Sequence, residues 1–325
     1  MKLIDPSADF YRKIVMRRHW IAELTCALIV VMARTPASMA ADVTAGAQAP
    51  LSLARDGHDT VPVYVNGHGS YPFILDSGAD GSAVYQWFAD QIRLPKEKGK
   101  GEDLSGQTGS AKVAMYRVDS LSLAGLPIHD VKAFGLPNRH DAGRQAGVLG
   151  NDFMDKAVIA FDFPCRTVEV YPKPVDLGAV VGRDAESVKA GIDPGTTLLT
   201  LPVTVNGFAG VAVLDTGSRR TRLTPSFARG AGIDTTAPSF HDDEPIYGTS
   251  MNKLVPRTGP IGEVRVATAV FAGAKGQVVD LPVLAQDFGG KPAMLLGADL
   301  MGRYRLVYDH EARTVWFQRS RCPVR

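Results

Sequence analysis

An internal repeat constrains this chain more than any other feature of its sequence. Four blocks of residues recur in the same order in the two halves. The offset between the copies is 140 residues for the first block, 139 for the second and 147 for the last two. The paired blocks are 61–67 with 201–207, 73–78 with 212–217, 148–154 with 295–301, and 166–168 with 313–315. Such an ordered recurrence indicates two copies of one fold.

Each copy is patterned as β-strands. Residues 61–65 alternate as a half-buried strand does, and residues 73–75 form a short apolar run. Helices are predicted only in the segments after Gly150 and Gly297, each a turn or two long. The sequence therefore predicts an all-β protein with two similar lobes. The predicted segments are residues 51–172 for the first lobe, 173–196 for a Pro- and Gly-containing connection, and 197–320 for the second lobe.

The first forty residues have the order of a secretory signal peptide. Arg17 and Arg18 precede an apolar run at 24–33, and the small residues around Ala40 follow it. The run is about half the ~20 residues that a membrane span requires. We expect cleavage after Ala40 and a secreted or periplasmic protein. A short uncleaved anchor is the alternative, and only then would the protein be associated with a membrane.

Charge and cysteine content narrow the class of protein further. Removing residues 1–40 leaves 30 of the 36 basic and 31 of the 34 acidic residues, a net charge of −1. No basic patch remains to predict a nucleic-acid partner. Cys165 and Cys322 stay in the exported chain, where they form either one disulfide or two unpaired thiols.

The most informative part of the repeat is an aspartate that recurs with its neighbours. An apolar residue and Leu precede Asp76 and Asp215, and a hydroxyl residue and Gly follow each of them. If the lobes pack about a pseudo-twofold axis, the two loops meet and the carboxyl groups lie side by side. Such a pair shares one proton near neutral pH. It can hold a water molecule, with the ionised member as base and the protonated member as acid.

This arrangement resembles the aspartic peptidases. Residues 75–80, LDSGAD, look like the retroviral form of the active-site loop, and residues 214–218, LDTGS, look like the pepsin form. The apolar-apolar-Gly elements that end at Gly150 and Gly297 match the element that buttresses this loop. The resemblance implies two retropepsin-like β-barrel lobes in a pepsin-like arrangement, with a cleft between them. It also implies that Asp76 and Asp215 are catalytic and that no cofactor or metal is needed.

The resemblance assigns supporting roles to the residues beside each aspartate. It implies that the hydroxyls of Ser77 and Thr216 cross-link the two loops, and that Gly78 and Gly217 permit the tight backbone.

The next positions differ between the copies. Ala79 stands opposite Ser218, whose hydroxyl is expected to hydrogen-bond the aspartate and favour its ionisation. This mixed pair predicts activity at mildly acidic pH. Arg219 and Arg220 depart from the family pattern, and they either influence the cleft, as a selector of acidic substrates for example, or point to solvent.

Flap hairpins that cover the cleft are also implied by the resemblance. Candidates are Gly106 and Gln107 in the first lobe, and Tyr247 and Gly248 in the second. Whether one lobe or both supply a working flap stays open in the sequence.

Several other acidic residues have structural interpretations. Asp152 and Asp299 follow Gly at the start of the short helices and are expected to accept free backbone N–H groups. Asp162 and Asp309 are expected to end strands. The segment 241–244, HDDE, carries metal-ligating side chains but is interpreted as a solvated acidic loop.

The sequence thus predicts an exported, single-chain, monomeric aspartic endopeptidase that acts on an extended peptide or protein substrate. A binding module that kept the fold and lost the chemistry is the alternative. A second alternative is a peptidase whose lobes separate or swap, so that the working pair forms between chains.

Overall fold

The computed structural model describes residues 46–138, 143–183, 185–250 and 252–324. The expected signal peptide and its cleavage after Ala40 lie outside the described residues. Within them, no helix has the length and apolar character needed to cross a membrane.

The described chain is mostly β. The elements before residue 184 are β1 (Ala47–Pro50), β2 (Ser52–Leu53), β3 (Asp59–Val65), β4 (His68–Leu75), β5 (Ala83–Tyr85), α1 (Gln86–Gln91), β6 (Glu102–Gly106), β7 (Gly109–Val113), β8 (Met115–Leu123), β9 (Leu126–Leu136), β10 (Gly147–Leu149), α2 (Asn151–Met154), β11 (Ala157–Asp162), β12 (Thr167–Pro172) and α3 (Leu177–Val180). The elements after it are β13 (Glu186–Lys189), β14 (Gly191–Ile192), β15 (Leu199–Val205), β16 (Phe208–Leu214), β17 (Arg222–Leu223), α4 (Pro225–Gly230), β18 (His241–Asp242), β19 (Arg257–Val266), β20 (Ala269–Val278), α5 (Pro282–Phe288), β21 (Ala293–Leu296), α6 (Ala298–Met301), β22 (Tyr304–Asp309) and β23 (Thr314–Arg319).

Each lobe is a closed six-stranded barrel, which confirms the two similar β lobes that the repeat predicts and the barrels that the resemblance implies. In the first lobe the ring runs β3–β4–β10–β5–β9–β8 and closes where β8 pairs with β3. In the second lobe the ring runs β15–β16–β21–β17–β20–β19 and closes where β19 pairs with β15. Closure leaves no free edge within either ring, which protects short strands from pairing with other chains.

The repeated Asn-Gly pairs form the first hairpin of each barrel. Asn66 and Gly67 connect β3 to β4 with φ of 50° and 74°, and Asn206 and Gly207 connect β15 to β16 with φ of 51° and 80°. A two-residue turn with positive φ at both positions follows the twist of the flanking strands, and Asn and Gly tolerate that conformation best.

The two barrels share a six-stranded antiparallel sheet, in the order β1–β12–β11–β22–β23–β13. Its centre is the pairing of β11 with β22, in which Ile159 lies opposite Tyr308. Because this sheet takes strands from both lobes, it fixes how the lobes lie relative to each other. Asp162 and Asp309 end β11 and β22, as predicted.

A disulfide joins Cys165 to Cys322, with the two Cα atoms 5.1 Å apart. The sequence left this pairing open. Cys165 lies in the turn after β11 and Cys322 follows β23, so the bond ties the C-terminal segment to the shared sheet.

The apolar core follows the alternation of the strands. On β3, Val61, Val63 and Val65 are buried and Tyr64 between them is exposed. Each lobe also has a smaller apolar cluster outside the main core.

The prediction that only two segments are helical is wrong. The helices after Gly150 and Gly297 are present as α2 and α6, but four others occur in the described residues. Local signals for one of them were in the sequence. Thr224 accepts the Phe227 N–H at the start of α4, and Pro225 occupies its first turn.

The connection contributes more structure than its composition suggests. Within residues 173–196 lie α3, the edge strand β13 of the shared sheet, and β14 on the edge of the second barrel.

Candidate active site

Asp76 and Asp215 occupy the same position in their lobes. Each follows the strand that pairs in parallel with the apolar-apolar-Gly element, β4 with β10 and β16 with β21. The Asp76 N–H donates to the Leu149 carbonyl at 3.0 Å, and the Asp215 N–H donates to the Leu296 carbonyl at 3.1 Å. The repeated elements therefore hold the two aspartates from behind in the same way.

Ser77 and Thr216 cross-link the two loops through four reciprocal hydrogen bonds. The Ser77 hydroxyl donates to the Leu214 carbonyl at 2.8 Å and accepts the Thr216 N–H at 3.0 Å. The Thr216 hydroxyl donates to the Leu75 carbonyl at 2.8 Å and accepts the Ser77 N–H at 2.9 Å. Both side chains are buried, so each hydroxyl satisfies backbone groups that water does not reach.

Gly78 and Gly217 let the loops approach each other closely. A Cβ on Gly78 would lie 2.7 Å from Cγ of Asp215, and a Cβ on Gly217 would overlap Cγ of Asp76. Each carboxyl group therefore packs against the glycine of the opposite loop. The structure brings Asp76 and Asp215 together in one site, and no residue larger than glycine fits at position 78 or 217.

Gly150 and Gly297 pack against the backbone that follows each aspartate loop. A Cβ on Gly150 would lie 2.7 Å from the carbonyl carbon of Gly81, and one on Gly297 would lie 2.5 Å from that of Arg220. Only a glycine allows this backbone-to-backbone contact.

Asp152 and Asp299 accept more hydrogen bonds than the sequence predicts. Both lie in the first turn of their helices and accept the next backbone N–H. Asp152 also accepts the Ser82 hydroxyl at 2.7 Å, and Asp299 accepts the Thr221 hydroxyl at 2.7 Å. These hydroxyls accept the N–H groups of the two supporting glycines. Burial raises the pKa of both Asp152 and Asp299.

The two aspartates of the pair differ in environment. Burial raises the pKa of Asp76 well above its ordinary value, and repulsion from Asp215 raises it further. Burial also raises the pKa of Asp215, but the positive charge of Arg222 and a hydrogen bond from Asp76 oppose that rise. Asp76 therefore has the higher pKa of the two, so a single proton on the pair favours Asp76 and the negative charge favours Asp215.

Arg222 is a site residue that the sequence analysis missed. Its side chain is buried, and its Nε donates to Gln277 at 2.9 Å. Its Nη1 donates to the Ser218 hydroxyl at 2.6 Å and to the Gln107 side chain at 2.8 Å. Burial lowers the pKa of Arg222 to about 10, so it stays charged at neutral pH. A signal was present, because Arg222 stands where the first copy has Ala83.

The prediction for Ser218 is wrong, and the alternatives left open for Arg219 and Arg220 divide between the two residues. The Ser218 hydroxyl donates to the Arg220 carbonyl at 2.9 Å and accepts from Arg222, so its O–H is directed away from Asp215. Arg220 is exposed, but Arg219 is half-buried and donates to the Asp56 carbonyl. The arginine that lowers the pKa of Asp215 is therefore Arg222.

One regular flap hairpin crosses the cleft from the first lobe. It consists of β6 and β7, which pair only with each other, and its tip is Gln107 and Thr108. The Gln107 amide nitrogen donates to Asp215 Oδ2 at 3.3 Å, and its amide oxygen accepts from Arg222. The flap tip thus lies directly over the aspartate pair.

The second lobe meets this tip with a less regular hairpin, whose arms are joined by reciprocal backbone hydrogen bonds between Ile246 and Leu254. The Gly248 N–H donates to the Thr108 hydroxyl at 3.0 Å, and the Ser250 hydroxyl donates to the Thr108 carbonyl at 2.6 Å. A Cβ on Gly106 would lie 2.6 Å from the Thr249 hydroxyl. The candidates Gly106, Gln107 and Gly248 therefore meet across the cleft, and Tyr247 beside them is half exposed.

The acidic segment 241–244 is only partly solvated. His241, Asp242 and Glu244 are exposed, but Asp243 accepts the Thr258 hydroxyl at 2.6 Å and the Gln277 amide at 2.9 Å. These hydrogen bonds lower the pKa of Asp243 to about 2. Among the described residues, no group of three His, Cys, Asp or Glu side chains could hold a metal ion.

Comparison with known proteins agrees with this geometry. A family model described as aspartyl protease matches residues 61–153 and 201–300, which cover most of each barrel and more than half of the chain. No curated protein matches the chain significantly.

Proposed function

The chain belongs to the aspartyl protease family, and we propose that it is an exported endopeptidase in which Asp76 and Asp215 form the catalytic pair. The observation that carries the proposal is the arrangement of two cross-linked Asp-hydroxyl-Gly loops that bring two carboxyl groups together, with the pKa of both groups raised. A cleft used only for binding needs neither the proton sharing nor the matched supports behind both loops.

The difference between the two carboxyl groups gives each a role. Asp215, ionised, takes a proton from a water molecule, whose oxygen attacks the peptide carbonyl carbon. Asp76 donates its proton to the carbonyl oxygen, which gives a neutral tetrahedral diol. In the second step Asp215 returns its proton to the amide nitrogen, and a diol hydroxyl returns a proton to Asp76. The C–N bond breaks to give a carboxylic acid and an amine, and the pair regains its starting state.

The flap fits an extended substrate. Backbone groups of a hairpin laid over a cleft can pair with an extended main chain, as in strand addition. Because Gln107 contacts Asp215 directly, its side chain leaves the pair before a substrate carbonyl enters. Both catalytic groups belong to one chain, which supports a monomer as the working unit.

Two observations support export. The N-terminal forty residues have the order of a signal peptide, and Cys165 and Cys322 are joined in a disulfide, which persists outside the reducing cytosol. We expect the full chain to be recovered outside the cytosol with its new N-terminus at Ala41. N-terminal sequencing of the protein from cell fractions checks this, with a chain lacking residues 1–40 as the control.

The activity is tested with the chain from Ala41 and its Asp76→Asn and Asp215→Asn variants. Each is incubated with a mixed peptide library from acidic to neutral pH, and new termini are identified by mass spectrometry. We expect cleavage by the parent alone. Folded protein that cleaves nothing at any pH would contradict the proposal and favour the binding module. A constant monomer mass with and without a peptide inhibitor would exclude a pair formed between chains.

A further inference from the structure

The two lobes present different walls to the aspartate pair at equivalent positions. In the first lobe, a small apolar cluster outside the main core includes Ala79 of the active-site loop itself. The cluster consists of Ile74, Ala83 and Val148, with Ala79, Phe134 and Leu136 packed against them. On this side of the pair, the wall carries no hydrogen-bonding side chain from these six residues.

The second lobe keeps part of this wall and replaces the rest. Val213 and Leu295 stand where the first copy has Ile74 and Val148, and both are buried. The other replacements change the chemistry. Ser218 replaces Ala79, Arg222 replaces Ala83, and Gln277, the ladder partner of Arg222, replaces Phe134, the ladder partner of Ala83.

These polar residues are held in one orientation. Gln277 accepts from Arg222 through its amide oxygen and donates to Asp243 through its amide nitrogen. Asp243 is fixed in turn by the Thr258 hydroxyl. A buried cation costs stability unless it is paired. Arg222, Gln277, Asp243 and Thr258 together hold a buried cation beside the active site, and this indicates a functional use.

The flap shows which chemical group fits against Arg222. The carboxamide of Gln107 contacts two residues of the second lobe, with its oxygen 2.8 Å from Arg222 Nη1 and its nitrogen 3.3 Å from Asp215 Oδ2. A planar group with an oxygen acceptor therefore fits this position. Gln107 belongs to the flap tip, and the position becomes free when the flap opens for a substrate.

We propose that Ser218, Arg222 and Gln277 form a substrate subsite for a side chain that ends in a carboxamide or a protonated carboxyl group, Gln or Glu. Its oxygen faces Arg222, and its N–H or O–H faces Asp215, as the carboxamide of Gln107 does. The substrate side chain replaces Gln107 and accepts from Arg222. The equivalent apolar wall around Ala83 takes an aliphatic or aromatic side chain on the other side of the cleaved bond. This proposal rests on the proposed function, and it implies that the charge of the second lobe fixes the direction in which a peptide lies in the cleft.

Cleavage specificity tests the subsite. A library of short peptides, varied at one position at a time, is offered to the parent, Arg222→Ala and Arg222→Lys. Arg222→Ala copies the first lobe, and Arg265→Ala, at an exposed arginine of the same lobe, is the matched control. A hydrogen bond to a charged group is worth about 1.5–3 kcal/mol, so we expect the parent to prefer Glu or Gln over Leu by roughly 10- to 100-fold at one position.

The variants should separate a specificity role from a structural one. Arg222→Ala removes the counter-charge of Asp215 and should cleave more slowly. The cleavage that remains should lose this preference and accept Leu at that position, whereas Arg222→Lys should retain part of the preference and Arg265→Ala all of it. An unchanged preference in Arg222→Ala would overturn the proposal. The same would follow if the parent preferred neither Glu nor Gln at any position.

A binding measurement keeps this test independent of catalysis. Immobilised Asp76→Asn protein, which retains Asp215, Arg222 and the flap, is exposed to the same library, and retained peptides are sequenced. Enrichment of Glu or Gln at one position, absent in the Asp76→Asn, Arg222→Ala double variant, supports the subsite even if the parent cleaves nothing. In that case the proposed endopeptidase activity fails and the subsite stands. No enrichment overturns the subsite, whatever the parent cleaves.

Discussion

The first and second lobes share the parts that hold the aspartates and differ in the parts that touch them from the side. Both lobes support the Asp N–H with an apolar-apolar-Gly element, and both fix that glycine through a hydroxyl and a helix-start aspartate. The first lobe has Ala83 where the second has Arg222, whose charge acts on Asp215. The two copies of the repeat therefore form a symmetric scaffold, and a few side chains give Asp76 and Asp215 different electrostatic environments.

In the proposed mechanism, this asymmetry makes Asp76 the acid and Asp215 the base. In a fully symmetric site, either aspartate could carry the proton. The buried guanidinium of Arg222 stabilises the charge on Asp215, and no comparable cation opposes the burial of Asp76. In the proposed mechanism, the second lobe therefore sets the direction of proton transfer.

The largest expected effect comes from neutralising each aspartate in turn. Both Asp76→Asn and Asp215→Asn should lower kcat/KM at least about 10³-fold, because each removes an acid or base. Their stabilities should differ, since Asp215→Asn leaves Arg222 without its counter-charge and costs roughly 3 kcal/mol more than Asp76→Asn. Denaturant unfolding measures this difference, with the exposed Asp119→Asn as control. Equal stabilities would mean that Arg222 does not distinguish the two carboxyl groups.

The disulfide is expected to have the next largest effect. Cys165→Ser with Cys322→Ser opens a link that spans 157 residues and includes the whole second barrel, so the free energy of unfolding should fall by about 2–5 kcal/mol. Thermal unfolding by calorimetry measures the loss, and the parent kept in reductant should match the double variant. If the lobes differ in stability, two transitions should then separate. A single, unshifted transition would show that the shared sheet alone couples the lobes.

Removing the cross-link tests the part of the site that the two lobes share. Ser77→Ala and Thr216→Ala each leave a buried N–H and a buried carbonyl without a hydroxyl partner, and each should cost about 2 kcal/mol. Because the four bonds are reciprocal, the two variants should be destabilised equally. Urea unfolding checks this, with the exposed Ser187→Ala as control. Clearly unequal losses would show that the reciprocal hydrogen bonds contribute unequally to the free energy of unfolding.

The sequence predicts the symmetric part of the molecule better than the asymmetric part. The barrels and the close approach of Asp76 and Asp215 follow from blocks that recur in order, because recurrence is a long-range signal contained in the sequence itself. The hydrogen-bond network around Arg222 does not recur in the first lobe, so recurrence does not predict it. Its partners Gln107, Gln277 and Asp243 come from distant segments, and strand periodicity does not indicate which of these side chains meet.

The pH dependence of stability gives the smallest expected effect and separates the two aspartates without any substrate. The pKa of Asp76 is higher in the folded chain than its ordinary value of 3.8, so the folded state binds this proton more tightly than the unfolded state does. The stability that this proton contributes is complete below that value and is lost as the pH rises through the raised pKa. Asp76→Asn removes this contribution, so its Tm should fall less with rising pH than the parent's, by roughly 2–4 °C for each kcal/mol involved. Thermal unfolding of both proteins from acidic to neutral pH, with Asp119→Asn as control, measures the difference. Parallel curves for parent and Asp76→Asn would place the shared proton on Asp215, and the asymmetry set by Arg222 would then run in the opposite direction.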